Sequence, residues 1–281
     1  MSANIVFKTT ILSEVTVTAC DYVSGKTGLS KMKVKDAMNK GALWVRRKHG
    51  TMRRLRRATA PLASGDSIEF YYDEELLSLV PGEVTCISDQ GRYSVWYKPA
   101  GLLSQGTKYC DHCSLTRQVE IFFGSSREIF PVHRLDREVS GLIVVAHTRD
   151  AAAKLSGLFR QNRIAKQYRA EVLGKFAREE RKALIGLPLD GKPSVTRYEV
   201  CSYSSDAGTS LINVSIETGR LHQIRRHFEM IGHPVMGDPR YGKGNKNREG
   251  MKLSAISLRF VCPYMRKEIE FRLPEQNIFV K

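Results

Sequence analysis

The chain has 281 residues, of which 42% are hydrophobic and 26% charged, and its 45 Lys and Arg against 29 Asp and Glu leave a net charge of +16. That apolar content supports a packed core and excludes wholesale disorder, and the length suits two domains or one large one. No apolar run approaches a membrane-spanning helix, no basic leader precedes an apolar stretch, and six cysteines in a chain this long do not make a disulfide scaffold. A soluble cytoplasmic protein, monomeric and without a membrane span, is therefore expected, and the excess positive charge points to a polyanionic partner, either nucleic acid or an acidic membrane surface.

From Ile5 to Val17 the sequence carries short β-prone stretches. Leu29 to Leu43 predicts an amphipathic helix, with Leu29, Met32, Ala37 and Met38 on one stripe and Gly41 closing it. A short strand over Leu43 to Val45 follows, then the basic run Arg46 to Arg57, a glycine turn at Ser64-Gly65-Asp66, and a strand over Ser67 to Tyr72. Between Lys31 and Arg57 stand eleven Lys or Arg against one acid, Asp36, so this stretch carries well over half of the net charge. A solvated helix face is the plain reading of such a run. Charge of one sign at this density repels itself unless something offsets it, and phosphate is the natural candidate. Lys31, Lys33, Lys35, Arg46, Arg47, Arg53, Arg54, Arg56 and Arg57 are the candidate RNA contacts.

Glu74 to Gln90, marked by Pro81-Gly82, reads as a connector, which places a first domain over 1–80, a linker over 81–92 and a second domain over 93–281. A strand opens at Tyr93 and stops at the turn Lys98-Pro99-Ala100-Gly101. Cys110-Asp111-His112-Cys113 has a spacing that suits zinc, but a structural site needs four ligands and no second pair is present, so reduced thiols are expected. Ser114 to Phe123 reads as a short helix and Ile129 to Val132 as a short strand.

The next stretch, His133 to Gly141, reads HRLDREVSG and runs directly into the apolar segment Leu142 to Val145. It sets Asp136 between Arg134 and Arg137 at the edge of a buried strand, where the scaffold can hold a carboxylate in one place. A surface turn with solvated charges is the alternative. Beyond it, Thr148 caps a helix over Arg149 to Arg160, Lys166 to Leu173 forms a strand with Tyr168, Ala170 and Val172 on one face, and Gly186 to Pro193 is loop. Val195 to Tyr203 and Ser210 to Glu217 form a hairpin, a helix runs from about Leu221 to Ile231, and Leu253 to Val261 and Glu268 to Arg272 are strands. Strands outnumber helices, so an α+β domain on a mixed or antiparallel sheet is the economical reading. On the helix, His222, Arg225 and Arg226 are expected to share one side while Ile224, Phe228 and Ile231 face the core.

Taken together these segments resemble the RluA-type pseudouridine synthases. HRLDREVSG from His133 is similar to the family's His-Arg-Leu-Asp signature, with Val139 in place of the usual threonine. Lys98-Pro99-Ala100-Gly101, AKQYRA from Ala165, TGRLHQIRRH from Thr218 and GHPVMGDPRYG from Gly232 match its other motifs in family order, and Leu253-Ser254-Ala255 departs from the more common Leu-His-Ala. The region from about Ser13 to Asp73 resembles the small S4-type RNA-binding module, an α+β fold. The resemblance implies isomerisation of uridine in structured RNA, ribosomal before transfer RNA, through a flipped base and without cofactor or metal. It implies Asp136 as nucleophile, Arg225 as its ionic partner, Tyr168 as a group that stacks on the base and assists proton removal, and Arg134 as the occupant of the vacated stack; Lys98, Arg220 and His222 join them as substrate contacts. Two other readings are a noncatalytic RNA-binding protein on a synthase scaffold, and a two-carboxylate glycoside hydrolase, which would need a second acid beside Asp136.

Overall fold

Strands buried on both faces read as continuous apolar runs, and Ser140–Ala146 (SGLIVVA) is such a strand, with every residue buried. A computed structural model describes residues 3–12 and 17–279 and divides the chain into two units, Met1–Pro81 with Gln105–Gln118, and Gly82–Ser104 with Val119–Lys281. The strands are β1 (Asn4–Thr10), β2 (Leu43–Arg46), β3 (Arg53–Arg54), β4 (Ser67–Asp73), β5 (Thr85–Asp89), β6 (Tyr93–Lys98), β7 (Phe130–Pro131), β8 (Ser140–Ala146), β9 (Ala165–Leu173), β10 (Lys182–Ile185), β11 (Thr196–Ser204), β12 (Thr209–Ile216), β13 (Leu253–Val261) and β14 (Glu268–Arg272). The α-helices are α1 (Ala19–Thr27), α2 (Lys31–Asn39), α3 (Glu74–Ser78), α4 (Leu115–Phe122), α5 (Arg149–Arg160) and α6 (Gln223–Met230). Among the described residues no helix is long and apolar enough to cross a membrane.

The first unit carries an antiparallel sheet in the order β1-β4-β2-β3, packed with α1 and α2 around Val23, Val34, Met38, Leu43 and Phe70. The α2 helix matches the sequence expectation but is shorter, held between Ser30, whose hydroxyl accepts from the Lys33 amide, and Lys40. The α1 helix was not anticipated: only Ala19, Cys20 and Val23 are buried, too small a stripe to register as a period, and Thr18 and Gly28 set its ends. Residues 13–16, where the expected S4-like module begins, lie outside the described residues.

The second unit is built on a mixed sheet in the order β10-β11-β12-β9-β13-β8-β6-β5, with β14 beside β13 and β7 beside β8. Two boundaries differ from the sequence reading. The expected linker contains β5, which pairs antiparallel with β6 after a turn in which the Asp89 carboxylate accepts the Gly91 amide. Residues Gln105–Gln118, expected in the second domain, belong to the first unit, where Asp111 is an ion-pair partner of Arg54 and Arg56. Proline and glycine mark a turn but do not say which unit the next residues join.

The pairing of β8 with β13 is the parallel one, Ser140 opposite Ser254 and Gly141 opposite Ala255, while the other strand pairs described are antiparallel. Gly141 sits there at φ 117°, and a Cβ would lie 2.3 Å from the Ala255 carbonyl oxygen. No side chain fits where two backbones approach so closely. Ser254, which stands where histidine is more common, is fully buried and accepts from the Ser140 hydroxyl at 3.2 Å. Gly141→Ala should therefore destabilise the protein by about 3 kcal/mol or more, combining overpacking with backbone strain; chemical denaturation measures it, and a loss under about 0.5 kcal/mol would show that the strand junction yields.

Candidate active site

The turn between β7 and β8 owes its shape to buried hydrogen bonds with the segment that follows β6. The Ser104 hydroxyl donates to the Leu135 carbonyl at 2.7 Å and accepts the Leu135 amide at 3.0 Å. Gly101 donates its amide to the Arg137 carbonyl at 2.7 Å, and the Arg137 guanidinium returns a bond to the Gly101 carbonyl. Lys98 completes the clamp. Its side chain is fully buried and its amine donates to the carbonyls of Pro99, Leu102 and Arg137 at 3.0, 2.8 and 3.3 Å. Burial pulls the Lys98 ammonium down to about 7, against the carboxylates of Glu138 and Asp136. Lys98 is thus not a substrate contact, as the sequence reading had it, because no part of it reaches solvent.

His133 also turns inward. Its Nε2 accepts the Val144 amide at 2.9 Å and its ring stacks on Phe159, and burial holds the imidazole down to about 3, so it acts as a neutral acceptor that ties the turn to β8. Val139, the departure from the family signature, is buried in the core beside Leu135, Ile224 and Phe228 and also touches the cleft wall.

Asp136 emerges at the centre of this turn with its side chain 19% exposed. Its Oδ2 accepts from Nη1 of Arg225 at 3.1 Å. Arg225 is almost fully buried, and its remaining edge is taken by Asp238 in a two-pronged bond, Nε to Oδ2 at 2.6 Å and Nη2 to Oδ1 at 2.8 Å. Asp238 in turn accepts the backbone amides of Arg240 and Tyr241. Burial opposes the charge on both members of this pair, and the bonds between them outweigh it, so Arg225 stays protonated and Asp238 ionised. Glu138 lies 3.6 Å from the same guanidinium.

The helix carrying Arg225 starts later than expected. His222 has φ 52°, a left-handed conformation uncommon for a residue other than glycine, and helix α6 begins at Gln223. The turn aims the His222 ring at the site, with Nε2 3.7 Å from Asp136 Oδ2 and Nδ1 3.0 Å from the Tyr241 hydroxyl. Burial lowers the His222 pKa despite the nearby Asp136 charge. Arg226 does not share this side; it pairs with Asp190 through both terminal nitrogens.

Arg134, Asp136, Tyr168, Arg220, His222 and Arg225 line one cleft of about 300 Å³. Tyr168 is buried against the core, and burial, with the Asp136 charge, raises its phenol well above the ordinary value. A larger groove of about 650 Å³ lies on the other face of β9, where Gln167 and Arg169 point away from Tyr168, and it contains none of these residues. Its arginines are paired, Arg169 with Glu275 and Arg197 with Glu217.

In the first unit the basic run divides. Lys31, Lys33, Lys35, Arg46, Arg47, Arg53 and Arg57 are exposed, although Lys31 pairs with Asp21, Lys33 with Glu74 and Arg47 with Asp66. Arg54 and Arg56 depart from the expected RNA face. Arg54 packs 4.2 Å over the Trp44 ring and bonds Asp111 at 3.0 Å and the Gly41 and Thr107 carbonyls, and Arg56 reaches Asp111 and the Asn39 carbonyl. Asp111 is the acid that offsets them, 55 residues along the chain from Arg56 and far from where a reading of the basic run would look. Among the described residues no group of His, Cys, Asp and Glu is arranged to hold a metal ion, and Cys110 and Cys113 are both buried.

Asp238 was missed by sequence reasoning. The signal available was only its place in the turn-rich stretch Gly237-Asp238-Pro239, because Arg225 was expected on the polar side of its helix, where no second carboxylate is called for.

Residues 92–230 match a family model described as RNA pseudouridylate synthase. A Mycoplasma pneumoniae protein named as an uncharacterized RNA pseudouridine synthase is 30% identical over 240 residues, 76% of this chain and 76% of its own. Ribosomal large subunit pseudouridine synthase C of Vibrio cholerae is 34% identical over 161 residues, 51% of this chain and 50% of that protein, so the chain spans about half the length of that relative. The solved structure of human RNA pseudouridylate synthase domain containing 1 aligns with a TM-score of 0.59 at 25% identity, covering 70% of this chain and 86% of that one. The chain belongs to the RNA pseudouridylate synthase family.

Replacing Asp238 by alanine leaves the buried Arg225 with too little counter-charge and should cost about 3–5 kcal/mol in stability, read from denaturant midpoints. An unaltered midpoint would mean that Asp136 and Glu138 hold the guanidinium without it.

Proposed function

We propose that this protein isomerises uridine to pseudouridine in RNA, with Asp136 as the nucleophile. The observation that supports this most is a carboxylate held at the floor of a nucleoside-sized cleft by a buried, fully engaged arginine, beside a buried tyrosine. Pairing with Arg225 fixes the direction of the Asp136 carboxylate, and a carboxylate held in one direction is what a nucleophile requires. In the reaction the N1–C1′ glycosidic bond breaks, the uracil turns, C5 bonds to C1′, and the hydrogen of C5 leaves while N1 gains one, so substrate and product are isomers. Asp136 attacks the nucleoside as the glycosidic bond breaks and is released when C5 rejoins. Tyr168, whose raised phenol keeps its proton at neutral pH, serves as the stacking face and a hydrogen-bond donor in the resting site rather than as a standing base.

The target base must leave its stack to enter the cleft. Arg134, exposed at the rim one turn from Asp136, is placed to fill the space it leaves, since a guanidinium both stacks and donates hydrogen bonds. Arg220, also exposed on the cleft wall, joins it on the RNA side. Ribosomal RNA is our preferred substrate, on the strength of the relatives named for the large ribosomal subunit. The first unit, which we read as S4-like and RNA-gripping, lies almost wholly outside the segment matched by the family model, and its exposed arginines supply a grip without a base code. A two-carboxylate hydrolase is disfavoured because, of the three acids around Arg225, only Asp136 lines the cleft: Asp238 is fully buried with its oxygens taken, and Glu138 is not among the lining residues.

Asp136→Asn should abolish pseudouridine formation in ribosomal RNA while leaving RNA binding within about threefold, since an amide of the same shape keeps the contacts but not the nucleophile. Normal turnover by this variant would remove Asp136 from the mechanism.

Charge reversal at Arg46, Arg53 and Arg57 should weaken RNA binding and flatten its salt dependence by roughly 0.7–0.9 in slope for each phosphate that is no longer neutralised. Reversal at Arg54 should instead lower the melting temperature. Equal salt slopes for the wild type and the triple variant would make those exposed arginines bystanders.

A further inference from the structure

Lys166 is only 9% exposed, and burial is the cause that lowers its pKa, with no anion to offset it. Among the described residues no hydrogen bond or carboxylate offsets that burial. Its charge is felt instead by His133, a neutral ring that it helps to keep neutral. A buried ammonium without a counter-charge is costly, and a fold gains nothing from it unless an anion arrives.

The position of the amine says where that anion would come from. Nζ of Lys166 lies 3.8 Å from the point where a Cβ on Gly219 would sit, and Gly219 is part of the wall of the cleft that holds Asp136. Residue 219 has no side chain to lie over the amine at that point. On β9 the burial alternates so that Lys166 and Tyr168 share a face, which puts them about 7 Å apart along the strand. That is close to the span between a nucleobase and the phosphate of its own nucleotide. Arg134, next to His133, and Arg220, next to Gly219, are exposed and add positive charge on either side.

We propose that Lys166 is a binding residue for the phosphodiester of the target nucleotide, gripping the backbone while the base lies against Tyr168. The inference rests on reading the cleft as a nucleotide site. It assigns the lysine two positions before the tyrosine to the phosphate, and leaves Arg134 and Arg220 to the neighbouring RNA. The bond is charge-assisted and forms in a desolvated recess, so it contributes to holding the sugar still while the uracil turns.

The experiment uses the full chain and a fluorescent oligouridylate, displaced by uridine or by uridine 5′-monophosphate. In the wild type the monophosphate should displace about tenfold better than the nucleoside, the factor that one charge-assisted hydrogen bond supplies. Inorganic phosphate should also weaken the monophosphate as a competitor and leave the nucleoside unaffected, a result that needs no variant. In Lys166→Met the preference for the monophosphate should collapse toward unity with a melting temperature equal to or above that of the wild type, and Lys166→Arg should restore part of it. Equal displacement by nucleoside and monophosphate in the wild type overturns the proposal, as does a preference that survives in Lys166→Met. If the wild type shows the Lys166-dependent preference but forms no pseudouridine, the phosphate site stands and the isomerase reading fails; if it forms pseudouridine without the preference, the reverse holds.

Discussion

The fork of Arg225 between Asp238 and Asp136 is the interaction on which the site depends. A guanidinium buried to this degree cannot be left partly paired, and Asp238 satisfies two of its nitrogens before Asp136 is considered. The consequence is directional: with one edge locked, Nη1 faces one place, and the carboxylate of Asp136 is drawn to it. The rest of the unit supplies the two ends. Asp136 comes from a turn clamped by Lys98, Gly101 and Ser104, Asp238 from a loop whose own amides hold it, and α6 carries the arginine between them.

Positive charge in this protein serves two purposes that composition merges. Lys98, Arg54, Arg56 and Arg225 are internal, each meeting carbonyls or carboxylates, whereas Arg46, Arg53, Arg57, Arg134 and Arg220 face outward. A net charge of +16 therefore overstates the density available to a polyanion on some surfaces and conceals how much is spent inside the fold.

How much of this was legible in the sequence depends on whether a residue's role is local. The strand SGLIVVA and the capped helix Arg149–Arg160 are set by neighbours in the chain, and their positions follow from periodicity and capping, whereas the turn that carries Asp136 was legible as a motif but takes its shape from the distant Lys98, Gly101 and Ser104. Tyr168, Arg225, His222 and Arg134 were found through motifs, and the fold brings them to one cleft. Asp238 could not be assigned in the same way, because its meaning lies in the depth of Arg225. Nor does the sign of a side chain give its direction, which is why Arg54, Arg56 and Lys98 looked alike to Arg53 in the sequence and differ in space. Arg225 and Arg226 are consecutive within α6, so the ordinary helical step of about 100° already sets them on different sides, and the left-handed conformation of His222 takes that ring out of the helical pattern.

The parallel contact of β8 with β13 joins Ser140 to Ser254 across 114 residues of chain. Contacts so distant in sequence close late, since the chain entropy between them is lost before the pairing can repay it. Ser140 and Gly141, which begin the strand immediately after the Asp136 turn, thus have no partner on that side until β13 has been made and folded back, whereas β7 pairs with the strand's far end. A chain that grows from its N-terminus therefore holds Asp136 long before Arg225, Asp238 and β13, which frame it, have been made.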